Sequence, residues 1–190
     1  MSETIGGTAA DLPPVRLAAE ADMPSIVQVY VRAYAQPPWH EQNDPARSAD
    51  YLRWLLAQPG CRCLVTGEPG AATGFIFVSP RSYEAFVEDW ERLADRPAAG
   101  WPVIPGRLGY VWELAVDPAA QRRGRGSALL AAGIAGLREQ GCAAVVLRSS
   151  ERAAPAMALY RKFGFQRLPL RERRDPLAGP WMLRLNTAAE

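Results

Sequence analysis

The segment Leu114-Ala115-Val116-Asp117-Pro118-Ala119-Ala120-Gln121-Arg122-Arg123-Gly124-Arg125-Gly126-Ser127-Ala128-Leu129-Leu130 constrains this chain more than any other. An apolar strand stops at Asp117-Pro118, a loop with two glycines follows, and an apolar stripe of helical period starts directly after it. Strand, short loop and helix in that order belong to an α/β layer fold, with the helix laid back on the sheet. The helix start also has a chemistry of its own. Its first N–H groups lack intrahelical acceptors and the positive end of the dipole lies beside them, so an anion is favoured there. Gly124 and Gly126 let the backbone come close to a bulky phosphate without Cβ interference, and Arg122, Arg123 and Arg125 add mobile charge at the rim.

Around this centrepiece the elements can be placed by period and by punctuation. Residues 15–18 suit a short strand. Asp22 is expected to cap a helix with Pro24 in its first turn, with Ile26, Val29, Tyr30 and Ala33 on one face. Pro37-Pro38 ends that helix. A second helix is expected over 46–57, with Tyr51, Trp54 and Leu55 turned inward and Pro59-Gly60 stopping it. Residues 62–66 and 74–79 read as an antiparallel hairpin around a longish loop, Gly67-Glu68-Pro69-Gly70. A helix over 82–93 precedes a Pro/Gly-rich connection, 97–106, that contains Trp101. Beyond it come a strand over 108–116 and a helix over 126–140, with Leu130, Ile134 and Leu137 inward and Gly141 as the stop. A buried strand over 143–147, a short helix over 155–163, a strand after Phe163-Gly164-Phe165 and a closing strand over 181–185 complete the order. The expected fold is one mixed α/β domain over 15–187, after a flexible tail over 1–14. Its single sheet is part antiparallel and part parallel, with helices on both faces.

Composition narrows the function classes. A chain of 190 residues with 48% hydrophobic and 22% charged residues supports one ordinary core. No apolar run approaches the roughly 20 residues of a membrane helix, and the first residues lack a signal pattern, so a cytoplasmic location is expected. A net charge of +2 gives no case for nucleic acid. Cys61, Cys63 and Cys142 are an odd number, which suits reduced thiols better than a disulfide framework. With His40 as the one histidine, Cys61 and Cys63 lack partners for a metal, and none is expected.

The phosphate-loop classes can be sorted by their fixed positions. A Walker loop needs Gly-Lys-Ser/Thr, and no such lysine is present. A dinucleotide fingerprint needs a third glycine where Leu129 stands. The unit instead resembles the coenzyme A loop of the GNAT superfamily of N-acetyltransferases, Gln/Arg-x-x-Gly-x-Gly/Ala, with Gln121, Gly124 and Gly126 at its fixed positions. A second stretch, Ala156-Met157-Ala158-Leu159-Tyr160-Arg161-Lys162-Phe163-Gly164-Phe165, resembles the family's Ala-x-x-Leu-Tyr-x-x-x-Gly-Phe segment. Two motifs in the right order and at the right separation are far more specific than one. The match is strong over 108–168, and the N-terminal half agrees in element order. Ala153 departs from the pattern, since the family often has asparagine there to help hold the pantetheine arm. Arg152 and Ser150 are the substitutes at hand.

The resemblance implies direct transfer of acetyl from acetyl-coenzyme A, as co-substrate, to a primary amine of a small molecule or peptide. Tyr160 matches the family's general acid, though its spacing from Ala156 and Phe163 also suits a core tyrosine. Glu113, a carboxylate in an apolar strand, is the candidate base; a salt bridge across the sheet would also explain it. Strict alternation puts Tyr110, Trp112 and Leu114 on one face and Val111, Glu113 and Ala115 on the other, unless a bulge intervenes. By the resemblance, the backbone of Leu114, Ala115 and Val116 would bind the pantetheine arm. The amides of Gln121, Arg122, Arg123, Gly124, Arg125, Gly126 and Ser127 would hold the pyrophosphate, with Arg122 reaching the adenosine phosphate.

The acceptor pocket is expected from Trp39, His40 and Glu41 on one side and from Tyr83 and Trp101 on the other. Aromatic and acidic groups suit a cationic amine, although Glu84, Glu88, Asp89 and Trp90 also read as a solvated acidic helix with core tryptophan. Surface tryptophans would suit a homodimer, with a monomer equally open. The alternative function is an idle acyl-coenzyme A sensor that keeps the phosphate loop and lacks acid and base.

Overall fold

The computed structural model describes residues 14–94 and 106–185. The connection that contains Trp101 and the first thirteen residues therefore lie outside the described residues. Strands β1 (Val15–Leu17), β2 (Arg62–Glu68), β3 (Ala71–Arg81), β4 (Arg107–Val116), β5 (Cys142–Ser150), β6 (Gln166–Arg167) and β7 (Ala178–Arg184) form one sheet. Its order is β1-β2-β3-β4-β5-β7-β6. Only β4 and β5 run parallel; the other neighbours are antiparallel. The helices are α1 (Met23–Tyr34), α2 (Pro45–Leu56), α3 (Tyr83–Leu93), α4 (Arg125–Glu139) and α5 (Ala154–Lys162).

Local chemistry sets several of these boundaries. The Asp44 carboxylate accepts from Arg47 N–H at 2.9 Å with Pro45 in the first turn, and the Ser82 hydroxyl accepts from Ala85 N–H at 3.1 Å. Asp22 behaves differently from expectation. It makes no cap bond to α1; a short 3₁₀ turn, Glu20–Asp22, precedes the helix. Its carboxylate instead accepts from both Arg16 guanidinium nitrogens at 2.6 and 2.7 Å, from Ala19 N–H at 2.8 Å and from Gly70 N–H at 2.8 Å. One fully buried charge thus ties β1, the turn before α1 and the β2–β3 hairpin together.

The hairpin is tighter than the sequence suggests. Glu68 pairs with Ala71, leaving only Pro69-Gly70 as the turn, and an irregularity at Thr66/Gly67 takes up the extra residue. Gly67 has φ +108°, and a Cβ there would stand 2.5 Å from the Ala71 carbonyl oxygen, so no other residue fits without distortion.

Helices cover both faces. Leu129, Leu130, Ile134 and Leu137 of α4 and Met157 and Tyr160 of α5 pack against Ile76, Val78, Val111, Val145 and Leu147. On the opposite face, Ile26 and Val29 of α1 and Leu52 and Leu55 of α2 pack against Val65, Phe75 and Phe77. Phe86 and Trp90 of α3 cover Leu108, Ala144 and Val146 on that same side. Each fully buried leucine or phenylalanine contributes about 1.5–3 kcal/mol, so these layers hold the sheet between them.

Two irregularities mark β4. The β3–β4 register shifts between Phe77 and Val78: Val78 faces Val111 while Phe77 faces Glu113, so Trp112 is an extra residue. The bulge reverses the simple alternation. Val111 points to the α4/α5 layer, whereas Glu113, pairing with Phe77, lies with Ala115 on the α1/α2 side. The second irregularity is in the parallel ladder. It ends at Val111↔Leu147, although β4 continues to Val116 and β5 to Ser150. The last turns of the two strands part, leaving facing backbone edges without partners in each other.

Candidate active site

The gap between β4 and β5 opens beside the start of α4. Gly124 precedes this helix in the left-handed region, at φ +76°, and the first helical bond runs from Ala128 N–H to the Gly124 carbonyl. The amides of Arg125, Gly126 and Ser127 are therefore left without acceptors inside the helix. The Gln121 side-chain amide donates to the Val116 carbonyl at 3.1 Å and locks the loop to the end of β4. A Cβ added to Gly126 would lie 3.6 Å from Leu159 of α5 and 3.9 Å from Val116, which fixes the helix start between the strand end and α5. Arg122 and Arg123 are exposed, and Arg122 itself takes a positive φ of 61°. Arg125 is not the mobile charge expected: its guanidinium bonds the Thr73 hydroxyl at 3.2 Å and the Ala120 carbonyl at 3.3 Å.

Tyr160 lies one residue beyond Leu159 and is buried at the α5 side of the gap, 5.9 Å ring to ring from Phe165. Its hydroxyl has no hydrogen-bond partner among the described residues, and burial together with the Glu113 charge raises its pKa well above that of an ordinary tyrosine. Across the gap, Glu113 is held by two phenols. Tyr34 of α1 donates to Oε2, and Tyr51 of α2 donates to Oε1 at 2.7 Å. Burial raises the Glu113 pKa; the two phenol bonds act against that rise, Glu41 adds to it and Arg148 opposes it. No arginine bonds Glu113 among the described residues, so the salt bridge across the sheet is not formed.

An aromatic belt surrounds this carboxylate. Ring centroids run from Trp39 to Tyr34 at 6.0 Å, Tyr34 to Tyr30 at 4.7 Å, Tyr30 to Tyr51 at 6.0 Å and Tyr51 to Trp54 at 6.1 Å. They continue through Trp112 at 5.8 Å to Tyr110 at 4.8 Å, and Arg81 caps the end, 5.1 Å from the Trp112 ring. Beyond Trp112 a cavity of about 300 Å³ is lined by Arg81, Asp89, Trp90 and Tyr110 among others. Burial drives the Tyr110 phenol up to about 12.

The model of the acetyltransferase (GNAT) family matches residues 24–165, well over half of the chain. The chain belongs to the GNAT acetyltransferase family. Acetyl-coenzyme A is the co-substrate of that family. A mycothiol acetyltransferase of Saccharomonospora viridis is 46% identical over 147 residues, 76% of this chain and 42% of that protein. One from Catenulispora acidiphila is 29% identical over 168 residues, 83% of this chain and 48% of its own length. The chain thus spans less than half the length of these curated relatives. Among solved structures, the ribosomal-protein-alanine N-acetyltransferase of Brucella melitensis has the same fold. Its TM-score is 0.64 at 20% identity, covering 90% of this chain and 99% of that one.

Within this GNAT domain the expected acceptor residues separate. Trp39 joins the belt, and Glu41 is close enough to raise both Tyr30 and Glu113. His40 is exposed at φ 50°. Tyr83 packs on Phe86 in the α3 layer, and Trp90 is core there. Glu88 pairs with Arg92 and Asp89 with Arg81. Trp54 is not inward as expected but 51% exposed, stacked on Tyr51. Ala153 is buried at the start of α5, and Arg152 turns away to Asp175 at 3.2 Å. Around Glu113, the sequence singled out no role for Tyr30, Tyr34, Trp54, Arg81, Tyr110, Trp112 or Arg148, nor for the hydroxyl of Tyr51. The one signal available was the recurrence of tyrosine at 30 and 34, one helical turn apart.

Proposed function

We propose that this domain transfers acetyl from acetyl-coenzyme A directly to a primary amine of a small molecule or peptide. The observation that carries the reading is the parting of β4 and β5 beyond Val111↔Leu147 beside the head of α4, with Glu113 bonded on the α1/α2 side of β4 and Tyr160 buried in the α4/α5 layer. When bound, the co-substrate supplies an acetyl group activated as a thioester.

The chain's own groups divide the remaining work. The free amides of Gly124, Arg125, Gly126 and Ser127 hold the pyrophosphate, with the helix dipole behind them and Arg122 and Arg123 at the rim. The open edge formed by Leu114, Ala115 and Val116 offers backbone partners to the pantetheine amides. An amine arriving as a cation first gives one proton to solvent. Glu113 accepts the second, which the neutral amine loses as it attacks, directly or through one water. Glu113 releases that proton to solvent afterwards, while Tyr160 regains its own from water. Tyr160 gives a proton to the departing sulfur as the carbon–sulfur bond breaks and the carbon–nitrogen bond forms. A phenol whose pKa is raised keeps that proton at neutral pH and stays a donor.

The belt of Trp39, Tyr34, Tyr30, Tyr51 and Trp54 with Glu113 beneath it suits an amine that arrives as a cation. The mycothiol acetyltransferase relatives make mycothiol-related amines the first acceptors to test. The decisive experiment screens such amines, free amino sugars and short peptides for thiol release from acetyl-coenzyme A. Acetyl-coenzyme A binding with no release from any amine would instead favour the idle acyl-coenzyme A sensor.

A further inference from the structure

Glu113 sits at the meeting point of five elements and a loop, and each presents a group to it. Tyr30 and Tyr34 come from α1, Tyr51 from α2, Tyr110 from β4 itself, Arg148 from β5, Tyr160 from α5, and Glu41 from the loop after α1. Only two of these bond the carboxylate directly: Tyr34 at Oε2 and Tyr51 at Oε1. Both hydroxyls are delivered by rings that cannot turn freely. Tyr34 is wedged between Tyr30 and Trp39, and Tyr51 is stacked on Trp54. Arg148, the one cation within reach among the described residues, already grips Glu172 through Nε and Nη2, at 2.8 Å for Nη2 to Oε2.

A buried carboxylate with no direct partner keeps its proton and cannot take another. Each phenol O–H stabilises the charged form, and a carboxylate has about four lone-pair sites, so two donors still leave room for an incoming proton. We propose that Tyr34 and Tyr51 are positioning residues that hold Glu113 as an oriented carboxylate and so set the pH above which it accepts a proton from the acceptor. This rests on the reading of Glu113 as the base.

The test uses the full chain labelled with ¹³C at the glutamate carboxyls, the Glu113 resonance being identified by its loss in Glu113→Gln. Tyr34→Phe and Tyr51→Phe each keep the ring and its packing while removing one donor. Each is expected to move the Glu113 titration upward by about one pH unit or more, and the double variant further. With an amine active in thiol release, the acid limb of kcat/KM moves upward by the same amount. An unchanged Glu113 titration in either correctly melting single variant overturns the proposal. A shifted titration with an unmoved acid limb upholds the two tyrosines as holders of the carboxylate and removes Glu113 from the proton transfer.

Discussion

At the scale of single residues, the phenol of Tyr160 is the group with fewest obligations. Nothing among the described residues bonds its hydroxyl, so its removal disturbs little besides chemistry. Tyr160→Phe is expected to lower turnover on the order of 10²-fold while leaving the acetyl-coenzyme A dissociation constant nearly unchanged, measured by titration calorimetry. Glu113 carries the matching expectation. Burial holds its carboxyl protonated to higher pH than an ordinary glutamate, so activity rises with pH along a limb displaced upward from 4.5. Glu113→Gln should abolish that limb, while a pH–rate profile that keeps it assigns the base elsewhere. Both were singled out from the sequence as candidates, Tyr160 through a motif and Glu113 as the lone carboxylate of an apolar strand. Tyr34 and the hydroxyl of Tyr51 were not. A tyrosine on an amphipathic helix looks the same whether its hydroxyl meets water or a carboxylate, and only the packing of α1 on β4 and of α2 on α1 decides.

Elements show where local rules stop. The helices expected over 46–57 and 82–93 start at Pro45 and Tyr83, where the structure adds the caps Asp44 and Ser82, and the strand–loop–helix at 107–139 stands where the apolar patterning put it. The bulge at Trp112 escaped a period-of-two reading because an extra residue is defined by its partner strand. Asp22 escaped a cap reading because its partners, Arg16 and Gly70, are fixed by the hairpin's tertiary placement. Arg16 holds the Asp22 carboxyl well below the usual carboxylate range, so the folded state binds its proton less readily than the unfolded chain. The sign follows: this stabilisation is complete above the unfolded value near 3.8 and is lost as pH falls through the lowered folded value. Asp22→Asn should therefore lower the melting temperature at pH 7 by removing about 3 kcal/mol, with the deficit shrinking in acid, read by calorimetry against pH. At the head of α4, Gly124→Glu is expected to abolish any thermal shift by acetyl-coenzyme A. The left-handed φ of +76° disfavours a side chain, and a carboxylate would face the anion site.

For the whole molecule, the mixed sheet with helices on both faces was readable from element order, since β-α-β around one parallel pair leaves few arrangements. Less readable was the parting of that pair, because a ladder's end depends on how two distant strands diverge. Acetyl-coenzyme A at a hundredfold excess over its dissociation constant should stabilise the fold by about 2.7 kcal/mol, which corresponds to roughly 5–10 °C in a scanning melt. The parted strands also have a consequence in time. Among the described residues the sheet's two leaves, β1–β4 and β5–β7, pair along the sheet only through the rungs from Arg107 to Val111. Beyond them, each gap-facing N–H over residues 112–116 of β4 lacks the neighbour that would shield it from deuterium. In D₂O these amides are expected to exchange far faster than those of Phe75 to Val78 beside them, and to slow markedly once acetyl-coenzyme A is added. The seam would then be visible as a row of clocks that the bound thioester stops.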